Sequence, residues 1–132
     1  MTRGLVLDTG VLTLYFAGDP RVKPFFDEIS EERAVGFVSE INLAEYFYKT
    51  CRQLGKEPAD VRYFMLRGSR LLVVGDEQLT RLAALEKCRQ SLDLSLTDCF
   101  ALALAKREKA SLLTSDSELK KVKDVDVKLF PV

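Results

Sequence analysis

Short runs of aliphatic and β-branched residues alternate with longer segments of helical periodicity along this chain. A strand, a helix and a second strand in succession join two parallel strands and place the helix against a face of the sheet. The alternation therefore predicts an α/β fold with a parallel sheet that is covered on both faces. The predicted strands occupy residues 4–7, 34–38, 70–74, 110–113 and 125–130.

One domain accounts for the whole sequence. At 132 residues and 47% hydrophobic content, the chain can bury about two thirds of its unfolded surface in one core. It contains no internal repeat or linker, so we expect a single domain over residues 1–132. The apolar run at residues 5–7 is too short for a signal peptide, and the longest helical one, residues 99–105, is too short to cross a membrane. We expect a cytoplasmic protein without a membrane partner.

The third predicted helix has the clearest ends. Ser39 is suited to cap its start, and Gly55 is suited to end it. Four of its apolar residues recur at helical spacing, and we expect this stripe to face the sheet: Ile41, Ala44, Tyr48 and Cys51. The ends of the other predicted helices are less clear. One follows Asp8-Thr9-Gly10, and the others cover residues 21–30, 58–67 and 77–90.

The sixth predicted helix is the most apolar. It opens at residues 95–98 and continues into residues 99–105, which are apolar on every side. Since a helix without a polar face is normally buried, we expect this one to pack in the middle of the domain. The carboxylate of Asp98 would then emerge at the N-terminal end of a buried helix.

Composition excludes several kinds of chemistry. The chain has no histidine, which removes the commonest general base, the usual zinc ligand and the base partner of serine and cysteine nucleophiles. Its 20 Lys and Arg residues balance 20 Asp and Glu residues, so net charge gives no argument for a nucleic-acid partner. The three cysteines lack CxxC spacing and are expected to be small buried residues in a reducing compartment. Carboxylates remain, and clustered oxygen ligands favour Mg²⁺ or Mn²⁺.

Four acidic residues lie where an ordinary surface position explains them poorly. Asp8 follows the first strand and Asp116 follows the fourth, whereas Glu45 lies in the apolar stripe of the third helix. Asp98 opens the buried sixth helix. Each has a simpler explanation, because the three aspartates are placed to cap helices and Glu45 is placed to pair with Lys49 one turn later.

The four positions together predict a common site. The carboxyl ends of parallel strands meet at one edge of a doubly wound sheet, and the four acids share that edge if their elements are neighbours. At an effective dielectric of 20, two carboxylates ~4 Å apart repel by about 4 kcal/mol, so gathered acids require a divalent cation or protonation. A bound cation activates water and stabilises charge on a phosphoryl oxygen, which predicts phosphodiester hydrolysis. Thr9 and Thr114 are placed to orient Asp8 and Asp116.

Four segments resemble the PIN-domain nucleases in order and spacing, namely residues 8–10, 39–45, 96–103 and 112–116. The size of the chain is similar to that of the single-domain VapC toxins of toxin–antitoxin systems. The resemblance implies a single PIN-like domain with three-layer α/β/α architecture and a parallel five-stranded sheet. It also implies an acidic site that binds Mg²⁺ or Mn²⁺ and cleaves single-stranded RNA. The site residues implied by the motifs are Asp8, Glu45, Asp98 and Asp116, with Thr114 as a supporting hydroxyl.

Two residues depart from the pattern of the PIN-domain nucleases. Gly10 stands where many members have Ser or Asn, and Ser115 stands where an Arg is common. These departures concern the polar support beside Asp8 and the substrate contacts beside Asp116. The resemblance further implies a cognate antitoxin that inserts a peptide into the acidic groove.

Aromatic residues on the third and fourth helices predict a homodimer. Tyr46, Phe47 and Tyr48 are consecutive, and three side chains at ~100° steps around a helix cannot all face one core. Residues 63–66 of the fourth helix add further apolar surface. We expect a homodimer built partly on these two helices, and the alternative is an extended core under a loop.

Other functions lack residues that they require or remain open. A haloacid-dehalogenase phosphatase needs a second Asp where this chain has Gly10, and a receiver domain needs paired acids at the first strand. A non-catalytic PIN-like protein-interaction module and a housekeeping RNA-processing nuclease remain as alternatives to a toxin. The sequence also leaves open whether the substrate is RNA or DNA.

Overall fold

Five parallel strands form the sheet in the computed structural model, which describes residues 2–132. They are β1 (Arg3–Leu7), β2 (Ala34–Ser39), β3 (Leu72–Val74), β4 (Ser111–Thr114) and β5 (Val127–Leu129). Their order across the sheet is β3–β2–β1–β4–β5, and all neighbouring pairs are parallel. The predicted strands are confirmed, with ends that differ by at most two residues.

Helices connect the strands of the described chain. They are α1 (Thr9–Phe16), α2 (Lys23–Ser30), α3 (Glu40–Leu54), α4 (Lys56–Arg67), α5 (Glu77–Arg89), α6 (Leu96–Glu108) and a 3₁₀ helix (Ser117–Lys121). The predicted ends of α3 are confirmed. The Ser39 hydroxyl accepts a hydrogen bond from the Asn42 backbone N–H at 2.9 Å, and Gly55 takes a φ of 98° after the last turn.

The hydrophobic core has two parts, one on each face of the sheet. Since successive residues of a strand point to opposite faces, Leu5 and Leu7 of β1 pack with α1, α2 and α3, whereas Val6 packs with α5 and α6. As predicted, α6 is buried over residues 99–105. The α/β/α layering is therefore confirmed. None of the helices within residues 2–132 is long and apolar enough to span a bilayer.

The face that α3 buries differs from the prediction. Ile41, Ala44 and Tyr48 were expected to face the sheet, but they are exposed, and Tyr48 leaves 43% of its surface open. The buried residues of α3 are Asn42, Leu43, Tyr46 and Thr50. The prediction followed apolar residue types, whereas the Asn42 side chain is buried because internal hydrogen bonds satisfy it.

The cysteines also differ from the prediction. Cys99 is buried in α6, but Cys51 is only partly buried and Cys88 is exposed. Cys88 lies in the last turn of α5, on an exposed side of the helix. A position within a helical pattern therefore did not reveal which face carries the thiol.

Candidate functional site

The carboxyl ends of β1 and β4 lie side by side near the middle of the sheet. Leu7 is in register with Leu113, and the Asp8 backbone N–H donates to the Leu113 carbonyl at 3.1 Å. The chain leaves β1 towards β2 on one side, while β4 lies on the other side. Strand order therefore reverses at Asp8, and open α/β sheets bind their ligands at such switch points.

Asp8 is a buried carboxylate with a partner for each oxygen. Only 4% of the residue is exposed. Its Oδ1 accepts from the Val11 backbone N–H at 3.1 Å, which makes Asp8 the N-cap of α1. Its Oδ2 accepts from the Thr114 hydroxyl. The Thr114 oxygen in turn accepts from the Asp116 backbone N–H at 2.9 Å, so Thr114 connects the two aspartates.

The pKa of Asp8 is raised to about 7. Burial is the largest cause, because it disfavours the ionised form. The hydrogen bonds from Thr114 and Val11 act in the opposite direction, and the charges of Asp98 and Asp116 raise the pKa further. Near neutral pH, and without a neighbouring positive charge, the protonated and ionised forms of Asp8 are therefore both populated.

Asp98 both caps a helix and faces another acid. Its backbone N–H donates to the Ser95 hydroxyl at 3.0 Å, and its Oδ2 accepts from the Ser95 N–H at 3.3 Å. Asp98 therefore has the capping role that the simpler explanation assigns to it. Burial, followed by a hydrogen bond and charge repulsion with Asp116, raises the pKa of Asp98 to about 6.

Asp116 is partly buried two residues after β4. Its Oδ1 accepts from the Glu118 backbone N–H at 2.9 Å, so it caps the 3₁₀ helix. Its carboxyl group also lies close enough to Asp98 to raise the pKa of that carboxyl group. The aspartates at the ends of β1 and β4 and at the start of α6 therefore lie near one another.

Glu45 has a different environment. Its nearest cationic partner is Lys49, with Oε2 and Nζ 3.8 Å apart. The leading causes of the raised pKa values of Asp8 and Asp98 do not include Glu45. In this arrangement Glu45 engages the helical partner expected from the simpler explanation, and the aspartates form a group without it.

The match to a known family covers most of the chain. The model of the PIN domain family matches residues 5–125, a stretch that contains Asp8, Glu45, Asp98 and Asp116. The chain belongs to the PIN domain family. No curated protein matches it in sequence. The family and the fold expected from its four motifs are thereby confirmed.

Solved structures of VapC-type proteins share the fold of this PIN domain. VapBC2 from Rickettsia felis, bound to a DNA fragment from its promoter, aligns with a TM-score of 0.77 at 17% identity over 96% of this chain and 98% of that one. DNA-bound VapBC from Salmonella typhimurium gives 0.72 at 16% identity over 97% and 98%. VapC20 from Mycobacterium tuberculosis, a toxin that cleaves the sarcin–ricin loop, gives 0.65 at 18% identity over 81% and 85%.

The donor chemistry of the PIN-domain site fits a hard divalent cation. All candidate ligands are carboxylate oxygens, which Mg²⁺ and Mn²⁺ prefer. The raised pKa values of Asp8 and Asp98 indicate negative charge that a cation would stabilise. Within residues 2–132, however, no three acidic or thiol side chains already surround a single ion position. Side-chain rotation would be required to complete a coordination shell.

Gly10 and Ser115 of the PIN domain contact each other. A β-carbon added to Gly10 would lie 1.9 Å from the Ser115 Oγ and 3.6 Å from Asp8 Oδ1. The Ser115 hydroxyl thus occupies the space beside Asp8 that a side chain at position 10 would fill. The two departures from the family pattern are therefore linked, because the glycine makes room for the serine.

A separate apolar cavity of about 980 Å³ lies between α1, α2 and the end of α4. It contains none of the four acids. Tyr15 and Phe26 of its lining stack with ring centroids 3.9 Å apart, and Met65 and Leu71 also line it. The two charged residues of its lining, Glu32 and Arg70, pair with each other, so the candidate site remains at the acids.

Asp8→Asn is expected to stabilise the metal-free protein at alkaline pH. The folded-state pKa of Asp8 is about 7 instead of 3.8, so its contribution to stability is full below about pH 4 and is lost as pH rises through about 7. The amide cannot ionise, and its oxygen can still cap α1. Urea unfolding in EDTA should show a gain of about 1–3 kcal/mol at about pH 8 and little gain at about pH 4.

The control for this experiment is Asp93→Asn, which removes the same charge from an exposed position. Its effect on unfolding should be small at both pH values. An Asp8→Asn effect that does not change with pH would contradict the assignment of a raised pKa to this carboxyl group.

Gly10→Ala is expected to be destabilising only while Ser115 is present. Alanine normally favours a helix by about 0.5–1 kcal/mol over glycine, but the new methyl group would collide with the Ser115 hydroxyl. In a Ser115→Ala background most of this penalty should disappear, with a coupling of about 0.5–3 kcal/mol in a double-mutant cycle of thermal unfolding. Additive effects would show that the two residues do not compete for space.

Proposed function

We propose that this PIN domain is a metal-dependent endoribonuclease that cleaves single-stranded RNA and acts as the toxin of a toxin–antitoxin pair. The proposal depends mainly on the grouping of Asp8, Asp98 and Asp116 at the switch point of the sheet. Proteins of the VapC type in the PIN family are nucleases. The sarcin–ricin loop cleaved by VapC20 supports RNA as the substrate class.

The proposed cofactor is Mg²⁺ or Mn²⁺, held by Asp8, Glu45, Asp98 and Asp116. When bound, such a cation supplies a nucleophilic water and stabilises charge on the phosphoryl oxygens. Thr114 and the Val11 N–H hold the two oxygens of Asp8 in one orientation, which reduces the reorganisation needed for binding. The proposed role of Thr114 is therefore to position Asp8.

The other carboxylates are proposed to complete the site by small changes. The pKa of Asp98 is raised by burial and by its neighbour Asp116, so loss of its proton would free the Asp98 carboxylate to bind a cation. Glu45 would join them by rotating away from Lys49. This contact is long, at 3.8 Å, and its Lys49 side chain is mostly exposed, so breaking it should cost little.

Asp98→Asn is expected to abolish metal-dependent cleavage without unfolding the protein. The amide oxygen can still accept from the Ser95 N–H and keep the cap of α6, whereas the ligand charge is lost. With a mixed single-stranded RNA and Mn²⁺, the rate should fall by about 100-fold or more. EDTA should abolish cleavage by the wild-type protein.

The matched control is Asp76→Asn, which makes the same change at the N-cap of α5. It should cleave within about twofold of the wild-type rate, because Asp76 does not contact the aspartate group. Equal activity of the Asp98→Asn and wild-type proteins would contradict the catalytic assignment. A wild-type protein inactive with Mg²⁺ and with Mn²⁺ would favour the alternative of a non-catalytic protein-interaction module.

We also propose a cognate antitoxin as partner. Two of the structural relatives are VapBC assemblies, and an Arg or Lys inserted into the acidic groove would neutralise carboxylates that repel one another. The product of the gene directly upstream, co-expressed with this chain, should co-purify with it and suppress RNA cleavage. Cleavage that persists undiminished in its presence would instead favour a housekeeping nuclease.

The proposed assembly is a homodimer through α3 and α4. Exposed apolar side chains on these helices include Tyr48, Val61, Phe64 and Met65, and Phe64 is 66% exposed. An extended core under a loop would bury these groups, so the structure favours another protein surface as their contact. A second copy of the chain offers an identical patch, as closed two-fold dimers require.

Light scattering tests the homodimer directly. The wild-type protein should have the mass of a dimer at micromolar concentration, and Phe64→Glu should shift it to a monomer because it places a charge in the apolar contact. Leu96→Glu, at an exposed leucine of α6, is the control and should remain dimeric. A wild-type monomer would contradict the proposal.

A further inference from the structure

Three polar side chains outside the acid group form a buried hydrogen-bond chain. Ser39 and Asn42 are each 1% exposed, and Thr9 is 6% exposed. Within residues 2–132, no buried side-chain nitrogen or oxygen lacks a hydrogen-bond partner. The chain is therefore a satisfied network, which in a low-dielectric interior restricts its members to one arrangement.

Each bond of this chain has a defined direction. The Ser39 Oγ accepts from the Asn42 backbone N–H, so its own proton goes to Asn42 Oδ1, 2.5 Å away. This identifies the oxygen end of the Asn42 amide and leaves Nδ2 to donate to the Thr9 Oγ1 at 3.3 Å. The Thr9 hydroxyl donates to the Asn42 carbonyl at 3.3 Å. Thr9 and Asn42 therefore hold each other by two reciprocal bonds.

This hydrogen-bond network joins α1, which Asp8 caps, to α3, which carries Glu45. Thr9 is the first residue of α1 and follows Asp8 directly, whereas Ser39 caps α3 and Asn42 lies in its first turn, three residues before Glu45. Thr9 does not bond to the Asp8 carboxylate in this structure. Its hydroxyl instead fixes the start of α1 against the start of α3.

Stability alone is a poor reason for this arrangement. Burying a polar group in a core raises the free energy of folding, and its hydrogen bonds only about offset this increase. Apolar residues of the same shape can replace both partners of such a bond with little loss of stability. What apolar packing does not reproduce is the fixed direction of four hydrogen bonds. The network therefore specifies the relative position of two helix starts more than it strengthens their contact.

We propose that Asn42 is a positioning residue for the acidic site, which it serves by locking Thr9, and hence Asp8, relative to Glu45. This inference rests on the proposed function, because it assumes that Asp8 and Glu45 act on the same cation. Asn42 itself touches neither carboxylate. Its role is to set the separation of the helices that carry them.

The test separates positioning from stability by removing the hydrogen-bond network in two ways. Asn42→Leu alone removes the acceptor of the Ser39 hydroxyl proton and the donor to the Thr9 oxygen, while both hydroxyls keep their bonds to the backbone of residue 42, and it should lower the melting temperature. Thr9→Val combined with Asn42→Leu removes the reciprocal pair from both sides and should recover most of that loss. Thr9→Ser retains the hydroxyl and should resemble the wild type. The control is Thr50→Val, which makes the same threonine-to-valine change at a buried position of α3 outside the hydrogen-bond network.

The readouts are the affinity for Mn²⁺ alone, by calorimetric titration, and the kinetics of RNA cleavage. The double variant should bind Mn²⁺ about 10- to 100-fold more weakly than the wild type, with kcat reduced more than KM is raised. Thr9→Ser and Thr50→Val should keep wild-type affinity. A double variant that recovers both stability and Mn²⁺ affinity would show that Asn42 is merely structural and would overturn the inference alone. Absence of Mn²⁺ binding by the wild-type protein would overturn the proposed function and, with it, this inference.

Discussion

The Asp8 carboxyl group is buried at the carboxyl ends of the strands, where ionisation is costly unless a partner offsets the charge. Thr114 and the Val11 N–H each donate to one of its oxygens, yet burial and the neighbouring aspartates still raise its pKa to about 7. Two hydrogen bonds are thus insufficient to stabilise the charge. A proton, or on the proposed function a cation, would compensate the remaining charge.

The fold brings these acids together by simple means. Parallel pairing of β1 with β4 places Asp8 beside Thr114, and Asp116 follows within two residues. Helix α6 is buried along most of its length, and Asp98 in its first turn lies near Asp8 and Asp116. These elements belong to both halves of the core, so the acid group is held by packing on each face of the sheet. Natural sites commonly retain such local costs where function needs them.

The sequence predicted the strands and the burial of α6 because each has a local cause in periodicity, and it placed the three aspartates after strands or at the start of α6, where the structure has them. Their role as site residues remains a prediction. The sequence did not predict the buried face of α3, since Asn42 is buried through partners on β2 and α1 that no local pattern reveals. Ser39 as an N-cap was recognisable, but its second bond to Asn42 was not. The link between Gly10 and Ser115 is likewise a contact across the fold. Glu45 remains a predicted ligand whose contact here is Lys49.

The most direct test of a cation site at this switch point is a crystal structure grown with Mn²⁺ and measured for anomalous scattering. We expect manganese to be bound by oxygens of Asp8, Asp98 and Asp116, with Thr114 still donating to Asp8 and Glu45 turned from Lys49 towards the ion. Well-ordered aspartates without manganese between them, in crystals that bind the ion elsewhere, would contradict it.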